Sequence, residues 1–104
     1  MSVGDEIRDV LFAECWHLDQ SMAGTKHVCT NSIIELDASG TKAAVRSYFL
    51  AQQQFDDFPL QPVAAGRYHD TVELVDGEWR IASREVLLDF VGDTRRYSAS
   101  GVDT

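Results

Sequence analysis

Val63-Ala-Ala-Gly-Arg-Tyr-His-Asp-Thr-Val-Glu-Leu-Val-Asp-Gly-Glu-Trp-Arg-Ile-Ala-Ser-Arg-Glu-Val-Leu-Leu-Asp-Phe90 reads as a β-hairpin, and the rest of the chain is organised around it. Asp76-Gly77 sits between two alternating runs, and a type I′ turn needs φ > 0 at both central residues, which Asp-Gly tolerates. A two-residue turn sets Val75 opposite Glu78. It then sets Leu74 opposite Trp79, Val72 opposite Ile81, Asp70 opposite Ser83, Tyr68 opposite Glu85 and Gly66 opposite Leu87, all on one face. The other face carries Glu73 opposite Arg80, Thr71 opposite Ala82, His69 opposite Arg84 and Arg67 opposite Val86. The first face is apolar near the turn and becomes polar at Asp70, Tyr68, Ser83 and Glu85. A core face that ends in convergent polar groups is expected of a ligand pocket.

The 104 residues suit one domain, read as residues 1–104 with a core from about 4 to 90. A formal net charge of −8 and a pI near 4.6 exclude nucleic acid and anionic membrane as main partners, since both need a basic footprint. No apolar run reaches spanning length, and the start lacks the basic and apolar segments of a signal peptide. Cys15 and Cys29 have no metal or redox spacing, so a cytoplasmic protein with two reduced thiols is expected.

Residues 4 to 19 read as a helix, with Ile7, Val10, Leu11, Cys15 and Leu18 forming one apolar stripe. Asp5 and Glu6 suit the positive end of its dipole. Phe12 and Trp16 add a second apolar pair, either widening the core face or meeting another subunit. Residues 27 to 36 and 42 to 54 read as two strands joined by the turn Asp37-Ala-Ser-Gly40. Asp56-Asp57 and the segment Pro59 to Pro62 break the pattern and read as a connection at the sheet edge. The tail from Gly92 to Thr104 lacks periodicity and is expected to fray. The sum is an α+β fold, with an N-terminal helix packed on a curved four-stranded antiparallel sheet. One helix cannot cover four long strands, so a homodimer is expected to cover the remainder.

The segments Gly24-Thr-Lys-His-Val-Cys-Thr-Asn31, Ala44-Val-Arg-Ser-Tyr-Phe-Leu50, Ala65-Gly-Arg-Tyr-His-Asp70 and Asp76-Gly-Glu-Trp-Arg-Ile-Ala82, followed by Arg84, carry a resemblance. In order and spacing they resemble the SnoaL-like polyketide-cyclase branch of the nuclear transport factor 2-like superfamily, from about residue 4 to 90. That resemblance implies a cone-shaped fold, a dimer or trimer, and a pocket for a small hydrophobic, often cyclic, molecule. Family members usually carry two more helices ahead of the segment found here as Gly4-Asp-Glu-Ile7. Those helices often supply a tyrosine or aspartate used as acid or base, so this chain is expected to be a truncated version of the fold.

The resemblance aligns His27 with the strand histidine that acts as acid or base in dehydratase relatives. Histidine changes charge near neutrality, and it shares a face with Asn31 if no bulge intervenes. Arg46, Tyr48, Leu50 and Gln52 share one parity of the second strand. Gln52 falls near the relatives' second histidine, where glutamine can bind but cannot shuttle a proton. An aspartate in an apolar cone, here Asp70, can serve as a base, as in the steroid isomerases. Otherwise it pairs with an arginine, either Arg46 or, if the register slips, Arg84. Trp79 is either core or a pocket wall. The expected reading is a binding domain for a small hydrophobic molecule, with Asn31, Arg46, Tyr48, Gln52, Ser83, Glu85 and Trp79 in contact and Phe12 and Trp16 at the subunit interface. The alternatives are a small lyase or isomerase using His27 and Asp70 for proton transfer, with Tyr68 orienting the substrate, and a protein-interaction module. The histidines at 17, 27 and 69 lack ligand spacing, so neither metal nor cofactor is expected.

Overall fold

The computed structural model describes residues 2–21 and 24–93. One helix, α1 (Val3–Ser21), precedes four strands, β1 (Thr25–Leu36), β2 (Lys42–Phe55), β3 (Phe58–Val75) and β4 (Glu78–Val91). The strands form an antiparallel meander in the order β1-β2-β3-β4. The expected fall of the tail concerns mainly residues 94–104, which lie outside the described residues.

The helix starts where its first orphan amides find a partner. The Asp5 N–H donates to Ser2 Oγ at 3.1 Å, and the Ser2 N–H reaches back to the Asp5 carboxylate at 3.4 Å, a reciprocal cap. Ile7, Leu11 and Cys15, spaced by four, are its buried stripe. At the other end the chain reverses through Gly24, with φ of 74°. A Cβ there would lie 2.3 Å from the Gln54 carbonyl oxygen, so only glycine fits this close approach.

The turns are those the sequence specifies. Asp76 and Gly77 have φ of 51° and 81°, the two positive values of a type I′ hairpin. Asp37 accepts from the Ser39 N–H and hydroxyl at 3.1 and 2.6 Å and closes the β1–β2 turn. Those bonds, the hydroxyl first, hold its carboxyl below the usual range. The β2–β3 link is tighter than expected. Phe55 pairs with Phe58 across Asp56-Asp57, and β3 runs on through Pro59 and Pro62 at the cost of irregular register.

Besides the irregular β2–β3 register, three bulges in the outer strands bend the sheet. One lies between Thr30 and Ile33 of β1, where Asn31 takes a φ of 56°. A second leaves Ala82 unpaired, because Val72 faces Ile81 but Thr71 faces Ser83. A third leaves Asp89 unpaired, because Gly66 faces Leu88 but Ala65 faces Phe90. The curvature brings both outer strands to the helix, so α1 packs on β1 and, over a smaller area, on β4. The core lies in that concavity: Ile7, Leu11 and Cys15 of α1 against Cys29, Val45, Phe49, Tyr68, Val72 and Trp79.

Candidate functional site

The bulge at Ala82 decides which side chains enter the concavity. Up to Ile81 the hairpin keeps the expected pairs, including Leu74 with Trp79 and Glu73 with Arg80. Beyond it, as far as the pair Gly66–Leu88, every partner moves by one residue. Asp70 therefore faces Arg84 in place of Ser83, His69 faces Glu85 in place of Arg84, and Tyr68 faces Val86 in place of Glu85. Ser83 and Glu85 are thereby turned to the convex face and do not join Tyr68 and Asp70, which corrects the expected grouping. Of the two arginines considered for Asp70, the structure selects Arg84; Arg46 instead pairs with Glu35 at 3.2 Å.

Arg84 grips Asp70 through Nε and Nη2, at 2.8 and 3.0 Å. The Asp70 side chain is 0% exposed and that of Arg84 15%. The guanidinium also lies over the Tyr68 ring, 3.8 Å from its centroid, and Tyr68 stacks on Phe49 with centroids 4.5 Å apart. This layered arrangement combines a bidentate ion pair with a cation–π contact. Burial opposes the charge of Arg84, but the hydrogen bonds and charge of Asp70 outweigh it and raise the guanidinium above its ordinary value. Burial also pushes the Tyr68 phenol well above the usual tyrosine range.

His27 stands at the other rim of the concavity, paired with Ala51. Its backbone N–H donates to Asp19 Oδ1 at 2.7 Å and its Nδ1 meets the same oxygen at 2.9 Å. The carboxylate fixes the proton of a neutral ring on Nδ1. Asp19, in the last turn of α1, is a functional candidate that sequence reasoning missed, because nothing local says that a helix end will meet a strand eight residues on. Between the two rims lie Cys15 and Cys29, both buried in the core, with Cys29 Sγ 3.4 Å from the Ser47 hydroxyl. The neighbouring Cys15 thiol, with help from Ser47 and Arg84, lowers Cys29 against the effect of burial. The Cys29 group beside it, with burial, pushes Cys15 up.

The remaining expected site residues lie elsewhere. The β1 bulge separates Asn31 from His27 and puts it on the convex face. There, with Arg46 and Tyr48, it lines a hollow of about 580 Å³ completed by Ser32, Ile33, Ser47, Arg67 and His69. Arg46, Tyr48 and Gln52 share one parity of β2, but the buried parity is the other one: Ala43, Val45, Ser47, Phe49, Ala51 and Gln53. Gln52 lines a separate hollow beside Gly24 and Lys26. Trp79 is buried in the core, and Phe12 and Trp16 are exposed, Trp16 to 66%. His69 Nδ1 lies 3.6 Å from Glu85, and Arg67 pairs with Asp89 at 3.0 Å, both on the convex side. Among the described residues no cluster of three or more His, Cys, Asp or Glu could hold a metal ion, and no helix is long and apolar enough to cross a membrane.

Beyond the helix, the concave face stays open along β4. Val86 and Val91 are 53% and 55% exposed, with Leu88 between them. No buried side-chain nitrogen or oxygen among the described residues lacks a partner. The concavity thus offers a satisfied polar floor and an apolar wall.

Comparison with known proteins gives the same picture. The family model of the SnoaL-like domain matches residues 3–85. No curated protein matches the chain at a significant level. Among solved structures, a scytalone dehydratase-like protein from Novosphingobium aromaticivorans is similar with a TM-score of 0.70 at 23% identity, covering 83% of each chain. An aromatic-ring-hydroxylating-dioxygenase-like β subunit from the same organism gives 0.58 at 20%, covering 78% of this chain and 53% of that one. A Nostoc punctiforme protein of unknown function with a cystatin-like fold gives 0.53 at 21%, covering 76% and 56%. The match from the start of α1 into β4, on a helix held in a curved four-stranded sheet, means that this chain belongs to the SnoaL-like domain family, with a nuclear transport factor 2-like, cystatin-like architecture.

Proposed function

We propose that this domain binds a small, flat, hydrophobic molecule on the open part of its concave face, along Val86 and Leu88 and against the edge of the Tyr68–Phe49 stack. The observation that carries this reading is the uncovered apolar strip of β4 beside a polar floor whose groups are already paired. Such a surface recognises a ligand by shape and by removing apolar area from water, at roughly 25 cal/mol per Å². The scytalone dehydratase-like neighbour supports a ligand of polyketide type by analogy of fold. Self-association follows the same logic: Phe12 and Trp16 stand exposed on α1 and are the proposed contact with a second copy. A thermal-shift series with polycyclic ketones and steroids tests the binding. Stabilisation that disappears in Val86→Asp and survives in His27→Ala supports the reading; stabilisation untouched by Val86→Asp rejects it.

A second reading, a small lyase or isomerase, is favoured by one observation: Asp19 holds His27 in a fixed tautomer at the rim of the same concavity. In this reading His27 moves the proton and Asp19 orients it. Asp70, expected as the partner base, is committed to Arg84 and serves as structure. Turnover of an enolisable ligand that is lost in His27→Ala while binding persists would establish the enzyme; unchanged turnover in that variant would remove it.

A further inference from the structure

The convex face carries a hollow whose lining runs against the composition of the chain. Asp and Glu outnumber Lys and Arg by 17 to 9. Yet Arg46, Arg67 and His69 line the hollow of about 580 Å³, and among the described residues no carboxylate does. The register explains the gathering. Arg46 faces His69 across β2 and β3, and Tyr48 faces Arg67, so four convex side chains form a square on the two central strands. On the β1 side, Asn31 and Ser32 stand against Ser47 alone, and the hollow lies between that bulge and the square. The acids that answer these cations sit on the outer strands, Glu35 on β1 and Glu85 and Asp89 on β4.

None of these pairs exhausts its cation. Asp89 takes Nε and Nη2 of Arg67, both at 3.0 Å, which fixes the guanidinium and leaves Nη1 for a second acceptor. Arg46 gives Glu35 one bond of 3.2 Å between two exposed side chains, a contact that a better acceptor replaces at little cost. His69 Nδ1, 3.6 Å from Glu85, is beyond hydrogen-bond length. Asn31 Oδ1 accepts from the Thr30 hydroxyl at 3.0 Å, so the amide hydrogens of Asn31 are kept for the hollow. A second hollow of about 600 Å³ adjoins the first, sharing Tyr48 and Arg67 and adding Ala65 and Phe90. Its one acid, Asp89, is the residue that holds Arg67. Ile33, Tyr48 and Phe90 are each more than half exposed, so the cationic end continues into an apolar surface. We propose that the convex face binds an organic carboxylate with an apolar body. Arg46, Arg67 and Asn31 receive the carboxylate, and the body lies along Tyr48 toward Phe90. Guanidinium donors hold a planar carboxylate more strongly than a neutral acceptor, because both partners are ionised. The excess negative charge of the chain does not forbid this, since at physiological salt charges beyond about 8 Å are largely screened. The site is separate from the concave face and independent of what binds there.

Calorimetric titration of the whole chain with naphthoate and with decanoate tests the proposal. At least one should bind, and the tighter of the two tells whether the preferred body is aromatic or aliphatic. The neutral amide of the same acid should bind roughly tenfold more weakly or not at all, since it keeps the body and lacks the charge. Arg46→Gln changes an exposed side chain and should weaken carboxylate binding by roughly tenfold. Val86→Asp, on the concave face, should leave it unchanged, which separates this site from the one proposed above. Amide NMR of the unaltered protein should show the acid shifting the signals of Asn31, Tyr48 and Arg67 and sparing those of Val86 and Leu88. Equal binding of acid and amide, affinity untouched by Arg46→Gln, signals shifted only on the concave face, or no binding of either acid at millimolar concentration would overturn the proposal.

Discussion

Arg84 meets Asp70 with two parallel hydrogen bonds, 2.8 and 3.0 Å long, inside a concavity where the carboxylate has no exposure. The pair is expensive to bury and more expensive to break, since removing one partner strands the other's charge. Asp70→Ala should cost about 3–5 kcal/mol. The double variant Asp70→Leu with Arg84→Met should be markedly less destabilised than Asp70→Ala alone. Urea titration of the three proteins checks this, and equal losses in all would mean that the ion pair is not the source.

The bulge at Ala82 exists so that Arg84, and not Ser83, arrives opposite Asp70. Deleting Ala82 would restore the simple alternation and send Arg84 to the convex face. The deletion should therefore cost at least as much as Asp70→Ala, about 3–5 kcal/mol or more, although it removes only one exposed alanine. Deleting Gly40 in the β1–β2 turn tests whether any shortening does the same; that deletion should be the milder.

Tyr68 gives the domain an alkaline limit. Its phenol is raised in the folded state above the ordinary value near 10, so at higher pH the folded form holds a proton that the unfolded form has lost. Stability from this group is complete below about pH 10 and falls as pH rises, by up to about 1.4 kcal/mol per unit. Tyr68→Phe keeps the stack and removes the titration. The difference between the two proteins in denaturant unfolding, plotted from pH 9 to 11.5, isolates the effect, because Cys15 and Cys29 are common to both.

Gly24 should tolerate no side chain. Gly24→Ala combines a φ of 74° with a Cβ 2.3 Å from the Gln54 carbonyl oxygen, and should cost about 1–3 kcal/mol by thermal melting. Gly40→Ala shares the positive φ but meets nothing within 4 Å, so it should cost less.

The sequence made the elements and their order legible because each is encoded locally. Asp76-Gly77 names its turn, and Ile7, Leu11 and Cys15 name a helix face. What it hid were the bulges, which have no residue signature of their own. A tertiary signal was nonetheless present in β4. Strict alternation puts Ser83, Glu85 and Leu87 inward, whereas one extra residue puts Arg84, Val86 and Leu88 there. Only the second keeps Glu85 off an apolar wall and gives Asp70 a cation. The same argument applies to β2, where Val45 and Phe49 identify the buried parity more surely than Arg46 and Tyr48 identify a pocket. The meeting of His27 with Asp19 depends on how the helix folds back and could be found only in three dimensions.

The backbone of the helix comes nearest to the first strand and, over a smaller area, to the fourth. Each hairpin of the meander can close as soon as its own turn is made, since its partners are neighbours in sequence. The helix cannot seat fully so early, because β4 is made after the other three strands. A newly made α1 must therefore wait, amphipathic and unseated, while three hairpins assemble downstream, and for that interval it is the segment most in need of a chaperone.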